Sequence, residues 1–301
     1  MDSTIVAEGL CKSYQEVKAL KDISFRIGNG EIFGIIGPDG AGKTTLFRIL
    51  TTLSLADSGT ASVCGLDVVK DYRKIRSEIG YMPGHFALYH DLSVEENLQF
   101  YASIFGIDVH SGYDNIKEIF CQLGPFRKRR AGALSGGMKQ KLALCCALVH
   151  KPKVLFLDEP TTGVDAVSRK EFWSMLKRIR ECGVSIFVST PYMDEAARCD
   201  RIAMISEGSI IGGGTPDEIC KSFPDRLYAA GSNNIFGMLK ILRATPGVKD
   251  CNSFGSICHV SVGKDGPDAS FLESVLRQAG FADCNVEPIE AGIEDCFMRL
   301  S

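Results

Sequence analysis

Apolar and polar residues alternate along the chain in patterns that predict both strands and helices. In Ile32–Ile36 an apolar run ends at a glycine-rich turn, and an amphipathic segment follows with apolar residues at Leu46, Ile49 and Leu50. This pattern is typical of a buried strand, a loop and a helix. Upstream, the apolar residues of Ile23–Ile27 alternate with polar ones, as in a half-buried strand. The chain therefore begins as mixed α/β structure.

The middle of the chain has a mainly helical pattern. Ser93, followed three residues later by Glu96, predicts a capping box, and apolar residues then recur at helical spacing up to Phe105. Ser135 is a good N-cap for a further helix within the region Leu88–Val149. Buried or half-buried strands are predicted at Gly59–Val63, Ile79–Met82, Val154–Leu157, Val184–Val188 and Ile202–Ile205.

The pattern changes after Pro216, where shorter strands and helices follow one another. A chain of 301 residues is longer than one hydrophobic core usually serves. We therefore predict two domains, an α/β domain over residues 1–215 and a small α+β domain over residues 216–301. In the second domain, strands are predicted at Arg226–Ala230 and His259–Val262, helices at Ile235–Leu242 and Phe271–Gln278, and a strand passing into a short helix at Glu287–Ser301.

The glycine-rich turn has the chemistry of a phosphate-binding loop. Gly37–Thr44 fits the spacing GxxxxGK[ST], and it lies between a predicted strand and a predicted helix. Its glycines allow the backbone N–H groups to approach an anion, and the helix that follows adds the positive end of its dipole. Lys43 supplies a full positive charge, and the Thr44 hydroxyl can reach a bound Mg²⁺. The sequence predicts a site for a nucleoside triphosphate.

Two adjacent carboxylates follow the buried strand Val154–Leu157. Asp158 and Glu159 stand at its carboxyl end, where ligands bind in open α/β sheets. One carboxylate can hold Mg²⁺ while the other acts as a base on water. The same pair could merely cap a helix, but Pro160 and the polar residues after it favour a functional loop.

Two further features have both a functional and an ordinary interpretation. The segment Leu134–Lys141 places two glycines at the start of a helix, which is unfavourable unless the helix start approaches a phosphate. Tyr14 lies upstream of the glycine-rich loop, where its ring could stack on a nucleobase or pack at the end of a strand.

Composition narrows the possible functions. The chain is 45% hydrophobic and 24% charged with a formal net charge of -3, so it carries no large basic field, and the short basic run Arg127–Arg130 is typical of a solvated helix end. No apolar run is long enough to span a bilayer, and the first ten residues lack the apolar core of a signal peptide. The sequence predicts a cytosolic protein, or one that a partner holds at a membrane. Its twelve scattered cysteines are interpreted as small apolar fillers.

Taken together, these motifs resemble the ATPase subunit of an ATP-binding cassette (ABC) transporter over Ile5–Thr215. The family's Walker A, signature, Walker B and D-loop motifs are matched by GPDGAGKTT, LSGGMKQ, VLFLDEP and TTGVDAVSR, which are residues 37–45, 134–140, 154–160 and 161–169. The resemblance implies ATP and Mg²⁺ as ligands. It implies nucleotide contacts from Tyr14, Gly37, Pro38, Asp39, Gly40, Ala41, Gly42, Lys43, Thr44, Thr45, Ser135, Gly136 and Gly137.

The resemblance also implies a fold and a mechanism. The fold is a P-loop NTPase core with an antiparallel β subdomain and a helical signature subdomain, and two subunits form a head-to-tail dimer with ATP between the Walker motifs of one and the signature of the other. Thr44 and Asp158 then organise Mg²⁺, Glu159 positions or deprotonates water, and Asp165 couples the two sites. Lys43 neutralises phosphate charge, and hydrolysis proceeds by in-line attack of water.

Two positions depart from the family pattern. Gly84 stands where the family has a glutamine after YMP, although His85 next to it could partly substitute, and Pro191 stands where the family has the switch histidine. Pro191 has no N–H and no side-chain donor, and it suits the first residue of a helix. We expect MgATP to bind well and to be hydrolysed slowly at this site. The signature could still complete a competent site on a different subunit, which favours a heterodimer.

The resemblance implies export through a separate integral membrane permease, with this chain at the cytoplasmic face of the membrane. Its form at Tyr81–Asn97 is similar to that of multidrug and lipid exporters, and the surface of Leu88–Val149 is expected to contact the permease. A second ABC ATPase subunit is the other expected partner, and no nucleic acid is expected. Two alternatives stay open: an ATP-binding regulator with little hydrolysis, and a soluble cassette protein acting on nucleic acid or ribosomes. The C-terminal domain resembles extensions that regulate or dimerise, although it could also serve packing alone.

Overall fold

The computed structural model describes residues 3–300, and for residues 109–111 it describes the backbone alone. Met1, Asp2 and Ser301, at the ends of the two predicted domains, lie outside the described residues. The chain divides into two units, Met1–Pro216 and Asp217–Ser301, each with more contacts inside itself than to the other.

The first unit contains two sheets and the helices around them. Its strands are β1 (Ser3–Tyr14), β2 (Val17–Gly28), β3 (Ile32–Ile36), β4 (Ser58–Val63), β5 (Leu66–Asp67), β6 (Ile79–Met82), β7 (Val154–Asp158), β8 (Ser185–Thr190), β9 (Arg201–Ser206) and β10 (Ser209–Gly214). Its helices are α1 (Lys43–Leu50), α2 (Tyr72–Glu78), α3 (Val94–Ile104), α4 (Val109–Leu123), α5 (Gly136–Leu148), α6 (Ala166–Glu181) and α7 (Met193–Ala196).

The larger sheet has the order β10-β9-β3-β8-β7-β6, and only β10 runs antiparallel to its neighbour. Every residue of β3, β7 and β8 is buried, as expected for parallel strands covered on both faces. The ring of Phe47 on α1 stacks on Phe187 of β8 with centroids 4.5 Å apart. The order of the strands places the carboxyl ends of β3, β8 and β7 side by side, so the segments that follow them meet at one edge.

The smaller sheet of this unit is antiparallel, with the order β2-β1-β4-β5. Its inward residues join the core formed by α1 and the larger sheet. The mixed α/β prediction with an antiparallel β subdomain is thus confirmed.

Helices α3, α4 and α5 form the helical part of the unit. The predicted capping box is confirmed, because Ser93 accepts a hydrogen bond from the N–H of Glu96 while the Glu96 carboxylate accepts one from the N–H of Ser93. The next two N–H groups of α3 are bonded to backbone carbonyls of Arg129 and Arg127 in the basic run. These carbonyls supply the partners that a helix start lacks.

The second unit consists of one antiparallel sheet with helices on both faces. Its elements are α8 (Pro216–Lys221), β11 (Arg226–Gly231), α9 (Ile235–Ala244), β12 (Val248–Phe254), β13 (Ile257–Val262), α10 (Ala269–Gln278), β14 (Asn285–Ile289) and α11 (Ile293–Leu300), and the strand order is β12-β13-β11-β14. Cys258 and Val260 of β13 face a core shared with α9 and α10. His259 points the other way and contacts Asp295 of α11 at 2.7 Å. The predicted α+β character is confirmed.

Seven of the twelve cysteines are buried and all twelve are free thiols. Burial raises the pKa of Cys251 to about 12, so this thiol is neutral and behaves as a small apolar side chain. Among residues 3–300, no helix has both the length and the apolar character needed to cross a membrane.

Candidate nucleotide-binding site

The loop between β3 and α1 requires glycine at two positions. A Cβ atom on Gly37 would lie 2.1 Å from the carbonyl oxygen of Ile205, and one on Gly42 would lie 2.3 Å from that of Ala19. Gly42 also has φ 105°, in the left-handed region, and it is the N-cap of α1. The loop therefore packs its backbone directly against neighbouring backbone, and the first N–H groups of α1 remain available to a ligand.

Lys43 is buried and held by three oxygen atoms. Its Nζ donates to the carbonyl oxygens of Gly37 at 2.8 Å and Pro38 at 2.9 Å, and it forms an ion pair with Glu159 Oε1 at 3.1 Å. A buried ammonium group needs such partners to offset its lost hydration. A phosphate group entering the loop would compete with Glu159 for the same charge.

Asp158 ends β7 and is only 2% exposed. Its Oδ1 accepts a 2.7 Å hydrogen bond from the hydroxyl of Ser189, and within residues 3–300 no ion pair includes it. A buried carboxylate without a paired cation suits a bound Mg²⁺, which prefers oxygen ligands. Thr44, whose side chain is exposed at the start of α1, supplies a second candidate oxygen.

Glu159 adopts a strained backbone conformation directly after β7. Its φ is 50°, which is uncommon for a residue other than glycine. Its N–H is bonded to Ser189 twice, to the hydroxyl oxygen at 2.9 Å and to the carbonyl oxygen at 3.1 Å. The structure thus brings together the glycine-rich loop, Lys43, Asp158 and Glu159, which the sequence predicted for one site.

The other predicted residues lie on separate elements. Tyr14 is exposed at the end of β1, and the Lys12 Nζ lies 5.6 Å from its ring centroid. Ser135 is the N-cap of α5 and accepts from the N–H of Met138. A Cβ on Gly137 would lie 2.6 Å from the Ser168 hydroxyl on α6, so glycine is needed where these two helices meet.

The predicted D-loop residue Asp165 is the N-cap of α6. Its carboxylate accepts a 3.0 Å hydrogen bond from the N–H of Ser168, and this bond holds the pKa of Asp165 below its ordinary value. The carboxylate is therefore charged at neutral pH and complements the positive end of the helix dipole.

Sequence reasoning missed two buried polar residues beside the site. Ser189 contacts both carboxylate residues of the β7 end, as described above. Glu195 accepts hydrogen bonds from Thr161 at 2.9 Å and Thr190 at 2.7 Å, and so ties the segment after β7 to the end of β8. The available signal was the polar Ser-Thr pair that ends the apolar strand β8.

The structure locates the two departures from the family pattern. A Cβ on Gly84 would lie 3.1 Å from the carbonyl oxygen of Asp158, so this position adjoins the end of β7. Pro191 follows β8 directly. The expectation that Pro191 begins a helix is wrong, because α7 begins at Met193 with Tyr192 as its N-cap. The Arg169 guanidinium on α6 lies 4.8 Å from the Tyr192 ring centroid, and this contact holds the turn between β8 and α7 against α6.

An apolar groove of about 290 Å³ lies between the segment after β6 and helices α3 and α5. Its lining includes Tyr81, Met82, Phe86, Tyr101, Ile104 and Phe105. Burial, and secondarily the negative charge of Asp158, raises the pKa of Tyr81 to about 12. Tyr81 is the register partner of Phe156 on β7, the strand that ends at Asp158.

The fold and these groups define a P-loop nucleotide-binding protein. The family model for ABC transporters matches residues 20–162. A Mycobacterium tuberculosis protein named doxorubicin resistance ATP-binding protein DrrA is 38% identical over 72% of this chain and 67% of its own length. The chain belongs to the family of ABC transporter ATP-binding proteins.

A second relative extends over nearly all of the chain. The Escherichia coli protein named "Probable multidrug ABC transporter ATP-binding protein YbhF" is 37% identical over 99% of this chain, which spans about half (52%) of that relative's length. A solved structure titled "Structure of ATP binding subunit of ABC transporter" is similar with a TM-score of 0.67 and 26% identity, covering 73% of this chain and 93% of the other. The predicted family and the predicted P-loop NTPase fold are confirmed.

Proposed function

We propose that this chain is an ATP-binding and ATP-hydrolysing subunit of an ABC exporter. The observation that carries the proposal is the meeting of the Gly37–Thr45 loop, buried Lys43, buried Asp158 and strained Glu159 at one sheet edge. Relatives named for multidrug transport and doxorubicin resistance support export, with a drug-like cargo.

The proposed roles follow from these positions. Lys43 exchanges Glu159 for phosphate oxygens when ATP binds, and the released Glu159 carboxylate positions and deprotonates water. Thr44 and Asp158 would hold Mg²⁺, which neutralises developing phosphate charge when it is bound. The exposed ring of Tyr14 stacks on the adenine.

Hydrolysis at this site is proposed to be slow. Glycine at 84 and proline at 191 leave no side-chain donor or acceptor where the family has a glutamine and a histidine. Losing one preorganised donor typically lowers a rate on the order of 100-fold or more. This feature also supports the second candidate, an ATP-binding regulator with little turnover.

Steady-state ATPase assays of the purified chain test the slow-hydrolysis proposal. We expect slow turnover that Glu159→Gln removes and that Pro191→His raises. Gly84→Gln is expected to raise it less, because its Cβ must first displace the Asp158 carbonyl from 3.1 Å contact. Brisk wild-type turnover that disappears in Glu159→Gln would refute the proposal.

The signature segment is proposed to complete the nucleotide site of a second ABC ATPase subunit. Ser135 caps α5, and a Cβ on Gly136 would meet only the Gly163 carbonyl oxygen, at 3.7 Å, so the first residue of the helix has little side-chain cover. A γ-phosphate held by the partner would receive charge-assisted hydrogen bonds worth about 1.5–3 kcal/mol each. Because this chain's own site lacks the glutamine and the histidine, a heterodimer with a hydrolytically competent subunit is favoured.

The apolar groove is proposed to receive a segment of an integral membrane permease, with this chain at the cytoplasmic face. The groove lining includes Tyr81 on β6, and β6 pairs with β7, the strand that ends at Asp158. Movement of a permease segment in this groove would therefore change the geometry of the nucleotide site.

The C-terminal unit is proposed to regulate or dimerise the cassette. It has its own core, and Phe236 on α9 is almost fully exposed. If this unit contributes to dimerisation, Phe236→Ser should lower the dimer affinity measured by sedimentation; an unchanged affinity favours a packing role alone.

A further inference from the structure

Ser189 occupies the position where the ends of β7 and β8 meet. The two strands run parallel, and Ser189 is the direct register partner of Asp158. The side chain is 0% exposed, so water is not available to its hydroxyl. Whatever hydrogen bonds this hydroxyl makes must therefore be made within the protein.

The hydroxyl contacts both carboxylate-bearing residues. It donates to Asp158 Oδ1 at 2.7 Å and accepts from the N–H of Glu159 at 2.9 Å. A serine hydroxyl has a single proton to donate, so its donor capacity is committed to Asp158. One side chain thus fixes the rotation of the Asp158 carboxylate and supports the strained backbone of Glu159.

We propose that Ser189 is a positioning residue for metal binding, acting through Asp158. The inference rests on the proposed function, in which Asp158 would hold Mg²⁺ with bound ATP. Hydrogen-bond partners of metal-ligating carboxylates orient the ligand, and their removal typically lowers metal affinity about 10- to 100-fold. Asp158 has no ion-pair partner among residues 3–300, so the Ser189 hydroxyl is the contact that fixes its orientation.

The same strand provides a matched control. Ser185 begins β8, is 2% exposed, and accepts a 2.9 Å hydrogen bond from the N–H of Gly30. It pairs in register with Val154 at the start of β7, at the opposite end of the strand from Asp158. Ser185→Ala therefore removes a buried hydroxyl from the same strand without touching the site.

The test measures the dissociation constant for ATP in excess Mg²⁺ and again in EDTA, using the purified chain of 301 residues. The ratio of the constant in EDTA to the constant in Mg²⁺ reports how much the metal tightens ATP binding. We expect Ser189→Ala to lower this ratio about 10-fold with little effect on ATP binding in EDTA. Ser185→Ala is expected to keep the wild-type ratio, and Ser189→Thr, which keeps a hydroxyl, is expected to restore most of it.

An unchanged ratio in Ser189→Ala, or an equal fall in Ser185→Ala, would overturn the proposal. If the alanine variant does not fold, Ser189→Cys compared with Ser189→Thr decides, because the thiol is a weak donor of similar size. A lower ratio for cysteine than for threonine supports the role, and equal ratios refute it. A wild-type chain that binds no ATP in either buffer contradicts the proposed function itself, whereas metal-dependent wild-type binding with an unchanged Ser189→Ala ratio contradicts the role of Ser189 alone.

Discussion

At the scale of single residues, the side chains of the nucleotide site are held by contacts within the protein. Lys43 is fixed by Glu159 and two carbonyl oxygens, and Asp158 is fixed by Ser189. Such preorganisation limits the side-chain entropy that is lost when ATP binds. The Lys43–Glu159 ion pair also keeps the proposed base occupied until phosphate displaces it.

The close approach of the Gly37 backbone to Ile205 predicts that glycine is required there. Gly37→Ala places a methyl group 2.1 Å from a backbone oxygen, and overpacking of this kind typically costs about 1–3 kcal/mol. Thermal unfolding should show a lower midpoint, and ATP affinity should fall. Gly124→Ala is the control, because its Cβ meets nothing within 4 Å and its backbone is helical. Equal midpoints for both variants would contradict the packing seen at Gly37.

His150 predicts a pH dependence of stability. Its ring stacks on Phe105 with centroids 3.7 Å apart, and Nε2 donates to the carbonyl oxygen of Ile79. The buried Nδ1 has no hydrogen-bond partner among the described residues. Burial lowers the pKa of His150 in the folded chain. The folded state therefore binds fewer protons than the unfolded state, and stability falls as the pH drops below about 6.5 toward the lower folded pKa.

Unfolding experiments at pH 7.5 and pH 5 test whether the free energy of unfolding falls on acidification. His150→Gln keeps a donor for the Ile79 carbonyl but cannot be protonated, so we expect a smaller loss of stability on acidification than in the wild type. His85→Gln, at an exposed position, is the control and should leave the wild-type pH dependence in place. A His150→Gln variant as acid-sensitive as the wild type would show that another group is responsible.

At the scale of elements, the N-terminal cap of α3 is expected to stabilise the helical part of the first unit. The capping box of α3 joins Ser93 and Glu96 through two hydrogen bonds. Ser93→Ala should reduce the free energy of unfolding by about 0.5–2 kcal/mol. Ser103→Ala, near the other end of α3, should change it by less than about 0.5 kcal/mol. Urea unfolding of the two variants makes the comparison, and equal losses would show that the cap does not stabilise the helix.

Elements with strong periodicity could be predicted from the sequence, and weakly patterned ones could not. The apolar runs of β3 and β7 are buried on both faces, so composition alone locates them. Strand β12 (VKDCNSF) was not predicted, because only Cys251 in it is fully buried and most of its residues are polar. This segment forms a strand because it pairs with β13, and such a tertiary contact leaves little signal in the local sequence.

The same division between local and tertiary signals holds for the residues of the site. The glycine-rich loop is one continuous segment, and the two carboxylates are neighbours in another, so spacing within each segment identified them. Ser189 and Glu195 contact residues about 30 positions away, at Asp158 and Thr161. The pairing of β7 with β8 brings Ser189 to Asp158, and helix α7, which follows β8, brings Glu195 to Thr161. Sequence spacing carries no record of that pairing.

At the scale of the whole molecule, the groove and the nucleotide site belong to one unit, and β6, which carries Tyr81 of the groove, pairs with β7, which ends at Asp158. The proposed permease contact predicts that Ile104→Asp, at a 58% exposed apolar position of the groove, strongly lowers co-purification of an integral membrane subunit from native membranes. MgATP affinity should stay near the wild-type value. Val69→Asp introduces the same charge at a 56% exposed valine away from the groove and should retain the partner. Equal retention by both variants would argue against the groove as the contact.

The central claim is that the edge of the parallel sheet captures MgATP. Isothermal titration of the purified chain with ATP in excess Mg²⁺ measures this directly. We predict saturable binding at one site per chain, lost when Lys43→Ala removes the buried charge that faces the phosphates. A wild-type chain that releases no heat and retains no nucleotide across the titration would contradict the account.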